Sequence, residues 1–94
     1  MSGEEQPENG VKKVTELIEM GKFYFLNQCY EQAIEKYTEA LDLTPNDPDI
    51  YYNLGIVYES INRLDEARQM FEKAVDMKGD FEAAREHLDR IVGI

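Results

Sequence analysis

The side chains of this chain with the most chemical potential are one cysteine and one histidine, Cys29 and His87. A thiol beside an imidazole is the minimum of a nucleophile–base pair. Neither has a third group in the sequence that would orient it, and the two fall in unlike settings. Cys29 sits where the apolar periodicity pauses between two helical runs, and His87 lies inside a C-terminal run beside Leu88. They read as two unrelated residues, and the chain reads as non-enzymatic. A metal centre finds no better material. There is no second histidine and no Cys-x-x-Cys pair, and Asn46-Asp47-Pro48-Asp49 lacks the glycine and closing glutamate of a calcium loop. That cluster reads as a capped turn, with Asp47 as N-cap and Pro48 at the first helical position. Gly21 and Gly55 are isolated within apolar helical runs and make no phosphate-binding loop. No catalytic, cofactor-binding or metal-binding residue is expected. Glu35, Glu39 and Asp42, at i, i+4 and i+7, form an acidic stripe that either meets a basic partner or is simply solvated, the second being the plainer reading.

Composition narrows the classes further. The chain has 94 residues, 20 acidic against 10 basic, for a formal charge of −10. Fewer than about 100 residues allow one domain, and a single cysteine leaves it without an internal disulfide. The excess of carboxylates works against nucleic acid and anionic membranes, both of which need basic patches. No apolar run approaches the ~20 residues of a membrane span. The start, MSGEEQPENG, lacks the basic and apolar regions of a secretory signal. A soluble, cytoplasmic domain is the expectation.

The elements follow from apolar spacing. Residues 2–10 contain no large apolar side chain, so residues 1–10 are expected to be a disordered leader preceding a domain at 11–94. From Val11 onward the apolar residues recur at three and four. The first run is Val14, Leu17, Ile18, Gly21, Tyr24 and Phe25; the second is Tyr30, Ala33, Ile34, Tyr37, Ala40 and Leu41. After the Thr44–Asp47 interruption come Tyr51, Leu54, Gly55 and Tyr58, then Leu64, Ala67, Met70, Phe71, Ala74 and Val75. Lys78-Gly79-Asp80 is expected to end the fourth helix and cap a fifth, carrying Phe81, Ala84, Leu88, Ile91 and Val92. No segment alternates with period two, so five helices and no sheet are predicted.

The pattern repeats itself. A shift of 34 residues places Gly21 on Gly55, Tyr24 on Tyr58, Ala33 on Ala67, Ala40 on Ala74 and Asp42 on Asp76, with Met20/Leu54, Tyr37/Phe71, Leu41/Val75 and Leu43/Met77 as conservative pairs. Matches concentrated on small and large core positions are what packing would preserve. Two mid-helix glycines at one phase, each costing about 1 kcal/mol against alanine, suggest a closely approaching neighbour helix. Leu17-x-x-Met20-Gly21-x-x-Tyr24 … Ala33-x-x-x-Tyr37-x-x-Ala40 … Pro45, with its second copy Tyr51-x-x-Leu54-Gly55-x-x-Tyr58 … Ala67-x-x-x-Phe71-x-x-Ala74, resembles the tetratricopeptide repeat. The second copy has Gly79 where the family usually has proline.

The resemblance implies an all-α fold: two antiparallel helix–turn–helix hairpins, residues 14–47 and 48–81, and a capping helix at 82–92, a right-handed α-solenoid fragment. It also implies a concave face, built from the first helix of each hairpin, that takes a partner segment. That face maps onto Ile18, Lys22 and Phe25, then Tyr52, Asn53 and Ile56, with His87 from the cap. Its apolar members look dispensable to the repeat core. The positions with which some family members clamp a chaperone's terminal carboxylate are Ile18, Lys22, Asn53, Ala83 and His87 here. Only Asn53 fits, so that clamp is not expected. The implied function is a protein–protein interaction module, adaptor or scaffold, needing no cofactor. The alternative is self-association into a homo-oligomer through the groove or capping helix, since two hairpins fall short of the three repeats usual for a stable stack.

Overall fold

The computed structural model describes residues 7–93, with side chains from residue 10 onward. Five helices follow one another: α1 (Pro7–Leu26), α2 (Tyr30–Leu43), α3 (Pro48–Ser60), α4 (Leu64–Met77) and α5 (Glu82–Val92). No strand occurs among the described residues. The leader expected over residues 1–10 is helical from Pro7, and its first six residues lie outside the described part. Proline is at home in a first helical turn, because its missing N–H is one the helix would leave unpaired anyway. The amphipathic run behind it then carries the helix forward through Gly10.

The chain divides into two compact units, one ending at Pro45 and the other beginning at Asn46. In the first, α1 packs on α2 around Leu17, Ala33, Tyr37 and Ala40, all 2% exposed or less. In the second, α3 packs on α4 and α4 on α5 around the buried cluster of Ala67, Phe71, Ala74 and Ala84.

Both glycines meet a closely approaching neighbour helix, as expected, and the group that arrives is a side-chain ring. A Cβ on Gly21 would stand 2.7 Å from Tyr37 Cε1, and one on Gly55 would stand 2.6 Å from Phe71 Cε1. Each glycine therefore makes room for an aromatic ring of the second helix of its hairpin. Phe71 is enclosed on another side by His87 of α5, stacked at 5.1 Å and 20°. Burial pushes the Tyr37 hydroxyl up to about 12, since a phenolate cannot be hydrated there.

Both hairpin turns use one device. Gln28 and Asn62, 34 residues apart, each have φ of 62°. The N–H of the following residue bonds back to Tyr24 O at 2.8 Å or Tyr58 O at 2.9 Å, while Gln28 N and Asn62 N bond to Phe25 O and Glu59 O. This is the Schellman closure, which satisfies the last carbonyls of a helix and turns the chain sharply. At α3, Asp47 Oδ1 accepts from Asp49 N at 2.9 Å and Pro48 follows, as the turn chemistry predicts. The start of α5 differs from expectation: Phe81, not Asp80, is its N-cap, without a side-chain cap bond. The Phe81 ring packs on Tyr52 at 5.0 Å and lies under the Lys78 ammonium at 4.9 Å, which anchors the turn by its aromatic residue.

Candidate partner-binding site

Ile18, Lys22 and Phe25 lie at i, i+4 and i+7 on α1, on one face beside the Leu17–Gly21–Tyr24 stripe that meets α2. Ile18 and Phe25 are half-buried and Lys22 is exposed. The Phe25 ring meets Tyr30 edge-on at 5.8 Å.

On α3, Tyr52, Asn53 and Ile56 are all partly exposed, but Tyr52 and Ile56 are not dispensable to the core. Both pack against the buried cluster of Ala67, Phe71, Ala74 and Ala84. Tyr52 meets the rings of Phe71 at 5.9 Å, Phe81 at 5.0 Å and His87 at 5.8 Å. It is a packing residue with one remaining open side. The cause is α5, which returns to this face of the second unit.

His87 is likewise engaged inside its own unit. Its Nδ1 lies 2.8 Å from Glu59 Oε1 and 2.8 Å from Arg90 Nη2, and Arg90 Nη2 is 3.8 Å from Glu59 Oε2. One ring nitrogen can donate to the carboxylate or accept from the guanidinium, but not both at once. Either way Glu59, His87 and Arg90 form a closed cluster that ties α5 to α3. Glu59 shares a face with Tyr52 by its i+7 spacing, yet nothing in the sequence pairs it with a residue 28 positions later.

The other candidates take structural places. Cys29 is the N-cap residue of α2, with Sγ 3.6 Å from Asn27 O, in the first unit; His87 belongs to the second. In the acidic stripe, Glu39 pairs with Lys36 at 3.5 Å, and Glu35 and Asp42 are exposed. Arg63 holds the Glu66 carboxyl below its usual range, chiefly through hydrogen bonds, across the first turn of α4. Among the described residues no three His, Cys, Asp or Glu side chains converge for a metal ion, and no helix is long and apolar enough to cross a membrane.

Two descriptions of known repeats match this chain: a TPR repeat over residues 21–62 and a tetratricopeptide repeat over residues 48–81. The photosystem I assembly protein Ycf3 of Synechococcus sp. (strain CC9605) is 34% identical over 77 residues, 74% of this chain and 44% of that protein. The chain thus spans under half the length of that curated relative. Among solved structures, the TPR2B domain of yeast Sti1 in its pHsp70 complex superposes with a TM-score of 0.80 at 25% identity, over 85% of this chain and 64% of that one. The first TPR of Spaghetti (RPAP3), bound to the HSP90 peptide SRMEEVD, gives the same score and identity over 85% and 65%. The repeat matches, the glycine–aromatic pairs and the Schellman turns agree: the chain is an all-α solenoid fragment of the tetratricopeptide-repeat family, a protein–protein interaction module.

Proposed function

We propose that the chain acts without catalysis, as an adaptor or assembly factor in the cytoplasm, holding an apolar or amphipathic partner segment on the α1 face of Ile18, Lys22 and Phe25 and the α3 face of Tyr52, Asn53 and Ile56. Repeats 14–47 and 48–81 and the helix at 82–92 are its building units. The observation that carries this reading is a contrast in burial. Positions inside each hairpin, Leu17, Ala33 and Tyr37 or Leu54, Ala67 and Phe71, are 3% exposed or less. Ile18, Phe25, Tyr52 and Ile56 keep exposed area in both units. They supply apolar surface, and Lys22 and Asn53 supply polar contacts that fix register. His87 contributes through the Glu59–Arg90 cluster, by holding Tyr52 in place.

The neighbour bound to an HSP90 peptide and the one in a pHsp70 complex support a protein or peptide partner, but the chemistry of these faces points away from an acidic terminal tail. Ile18 and Ala83 stand where a carboxylate clamp needs charge or amide, and a chain of net charge −10 repels an acidic peptide at long range. Selection of displayed peptides on the full chain tests the reading. Apolar or amphipathic sequences are expected, and Phe25→Ala should weaken their binding about tenfold, the cost of truncating one anchor. Peptides ending in acidic residues, or peptides indifferent to Phe25→Ala and Ile18→Ser, would overturn it.

A further inference from the structure

α5 is held to the second unit by few buried contacts. Of its 11 residues only Ala84 is fully buried, in the cluster of Ala67, Phe71 and Ala74. Its N-cap, Phe81, makes no side-chain cap bond. The connection to α4, Lys78-Gly79-Asp80, is exposed, and nothing lies within 4 Å of a Cβ on Gly79. A helix of this length is marginal by itself in water, so its order depends on what it touches. Beyond Ala84 and the Phe71 stack, its ties converge on two side chains of α3. Phe81 and His87 meet Tyr52 at 5.0 and 5.8 Å, and His87 and Arg90 meet Glu59 at 2.8 and 3.8 Å. With α5 away, the α3–α4 hairpin still has Phe71 on Gly55, the arrangement that Tyr37 and Gly21 give α1 and α2 with no third helix in their unit. Tyr52 then keeps the Phe71 ring and loses the other two.

We propose that α5 is a latch on the α3 face: it opens as one unit about Lys78–Asp80 while α3 and α4 stay folded, and a partner segment binds at Tyr52 only with the latch closed, which rests on the reading of Tyr52, Asn53 and Ile56 as partner-binding residues. Opening exposes little of the core, so it costs less than unfolding the chain. Closure fixes the Tyr52 ring before a partner arrives, and the partner is spared the cost of ordering it. A bound partner in turn holds α5 shut, because such coupling is reciprocal.

Amide exchange of the full chain, followed residue by residue in low urea, tests the latch. The amides of α5 should share one opening constant and exchange at least about tenfold faster than the slowest amides of α4. Their dependence on urea should be weaker, since opening α5 exposes less surface than global unfolding. Glu59→Gln should speed exchange in α5 about threefold and leave α4 unchanged. Glu86→Gln, exposed on α5, should change neither. Exchange in α5 that matches α4 in rate and urea dependence, or that frays residue by residue, would overturn the proposal. So would protection that rises with chain concentration, the mark of α5 traded between two copies. A peptide recovered by the display selection, at ten times its Kd, should slow exchange in α5 about elevenfold. Unchanged or faster exchange with that peptide bound would make latch and face independent or competing, and overturn the coupling. Should the selection yield no peptide, the partner-binding reading falls and the coupling with it, while the urea comparison still decides the latch.

Discussion

Replacing Gly55 by alanine sets two well-understood effects against each other. In an exposed helix interior the change stabilises by about 1 kcal/mol, because alanine is the better helix former. At Gly55 the new methyl would stand 2.6, 2.7 and 2.8 Å from Phe71 Cε1, Cζ and Cδ1. Ordinary contact begins at 3.4 Å, so the ring must retreat by about 0.8 Å. Phe71 is fully buried and stacked on His87 at 5.1 Å, so its retreat moves α5 or tilts the ring out of its rotamer. Overpacking of this kind costs about 1–3 kcal/mol. With the ring confined the upper part of that range applies, leaving a net loss of about 1–2 kcal/mol. For a domain of this size that lowers the melting temperature by about 5–10 °C. Urea titration followed by circular dichroism measures it, with Gly10→Ala as reference, since nothing lies within 4 Å of a Cβ there. Gly10→Ala should stabilise where Gly55→Ala destabilises. Combining Gly55→Ala with Phe71→Leu should cost at least about 1 kcal/mol less than the two separately, because the methyl enters space the ring vacates. A Gly55→Ala protein as stable as the Gly10→Ala protein, with additive behaviour toward Phe71→Leu, would refute the packing argument.

Gln28→Gly should raise stability by about 1 kcal/mol, because a side chain at φ 62° is strained and glycine is not; Asn62→Gly should gain less, since asparagine tolerates that conformation, and parallel urea curves compare them. His87→Ala should loosen α5 by removing both the Phe71 stack and the Glu59 contact, seen as faster amide exchange confined to residues 82–92. Tyr37 makes stability depend on alkaline pH. Its hydroxyl is held to about 12 in the fold and titrates near its ordinary value when unfolded, so its contribution is intact below about pH 10. It is lost as pH rises toward 12, by up to about 2–3 kcal/mol. Urea midpoints near pH 9 and pH 11.5 should differ by more in the parent than in Tyr37→Phe.

The architecture was legible because its causes are local. Leu17, Gly21 and Tyr24 fall on one side of a 3.6-residue helix wherever that helix is placed, and Asp47-Pro48 starts a helix by its own hydrogen bonding. Repetition at 34 residues added evidence that no single stretch carried, since it singled out positions related by packing. Gln28 and Asn62 show the limit of that signal. They are equivalent in the fold and share a backbone conformation, but unlike side chains can occupy one conformation, so the shift did not mark them. The role of Gly21 and Gly55 was half legible: a neighbour had to come close, but periodicity does not say whether a backbone or a ring arrives.

The candidate site was legible only as far as the helix that carries it. Periodicity places Tyr52, Ile56 and Glu59 on one face of α3, and that assignment holds. Whether such a face is free depends on where a later helix returns, which is a long-range fact. Here α5 brings Phe81, His87 and Arg90 against it, so Tyr52 becomes part of the core and His87 a partner of Glu59. The same reasoning separates the α1 face from the α3 face. On α1, Ile18 and Lys22 keep the faces that helical spacing assigns them, and no helix of the first unit other than α2 packs there to claim them. A substitution at exposed Lys22 therefore reports on binding, one at Phe25 also on its contact with Tyr30, and one at Tyr52 or His87 first on the attachment of α5. Loss of a partner through Tyr52→Ala carries no information about the α3 face unless amide exchange shows α5 still in place.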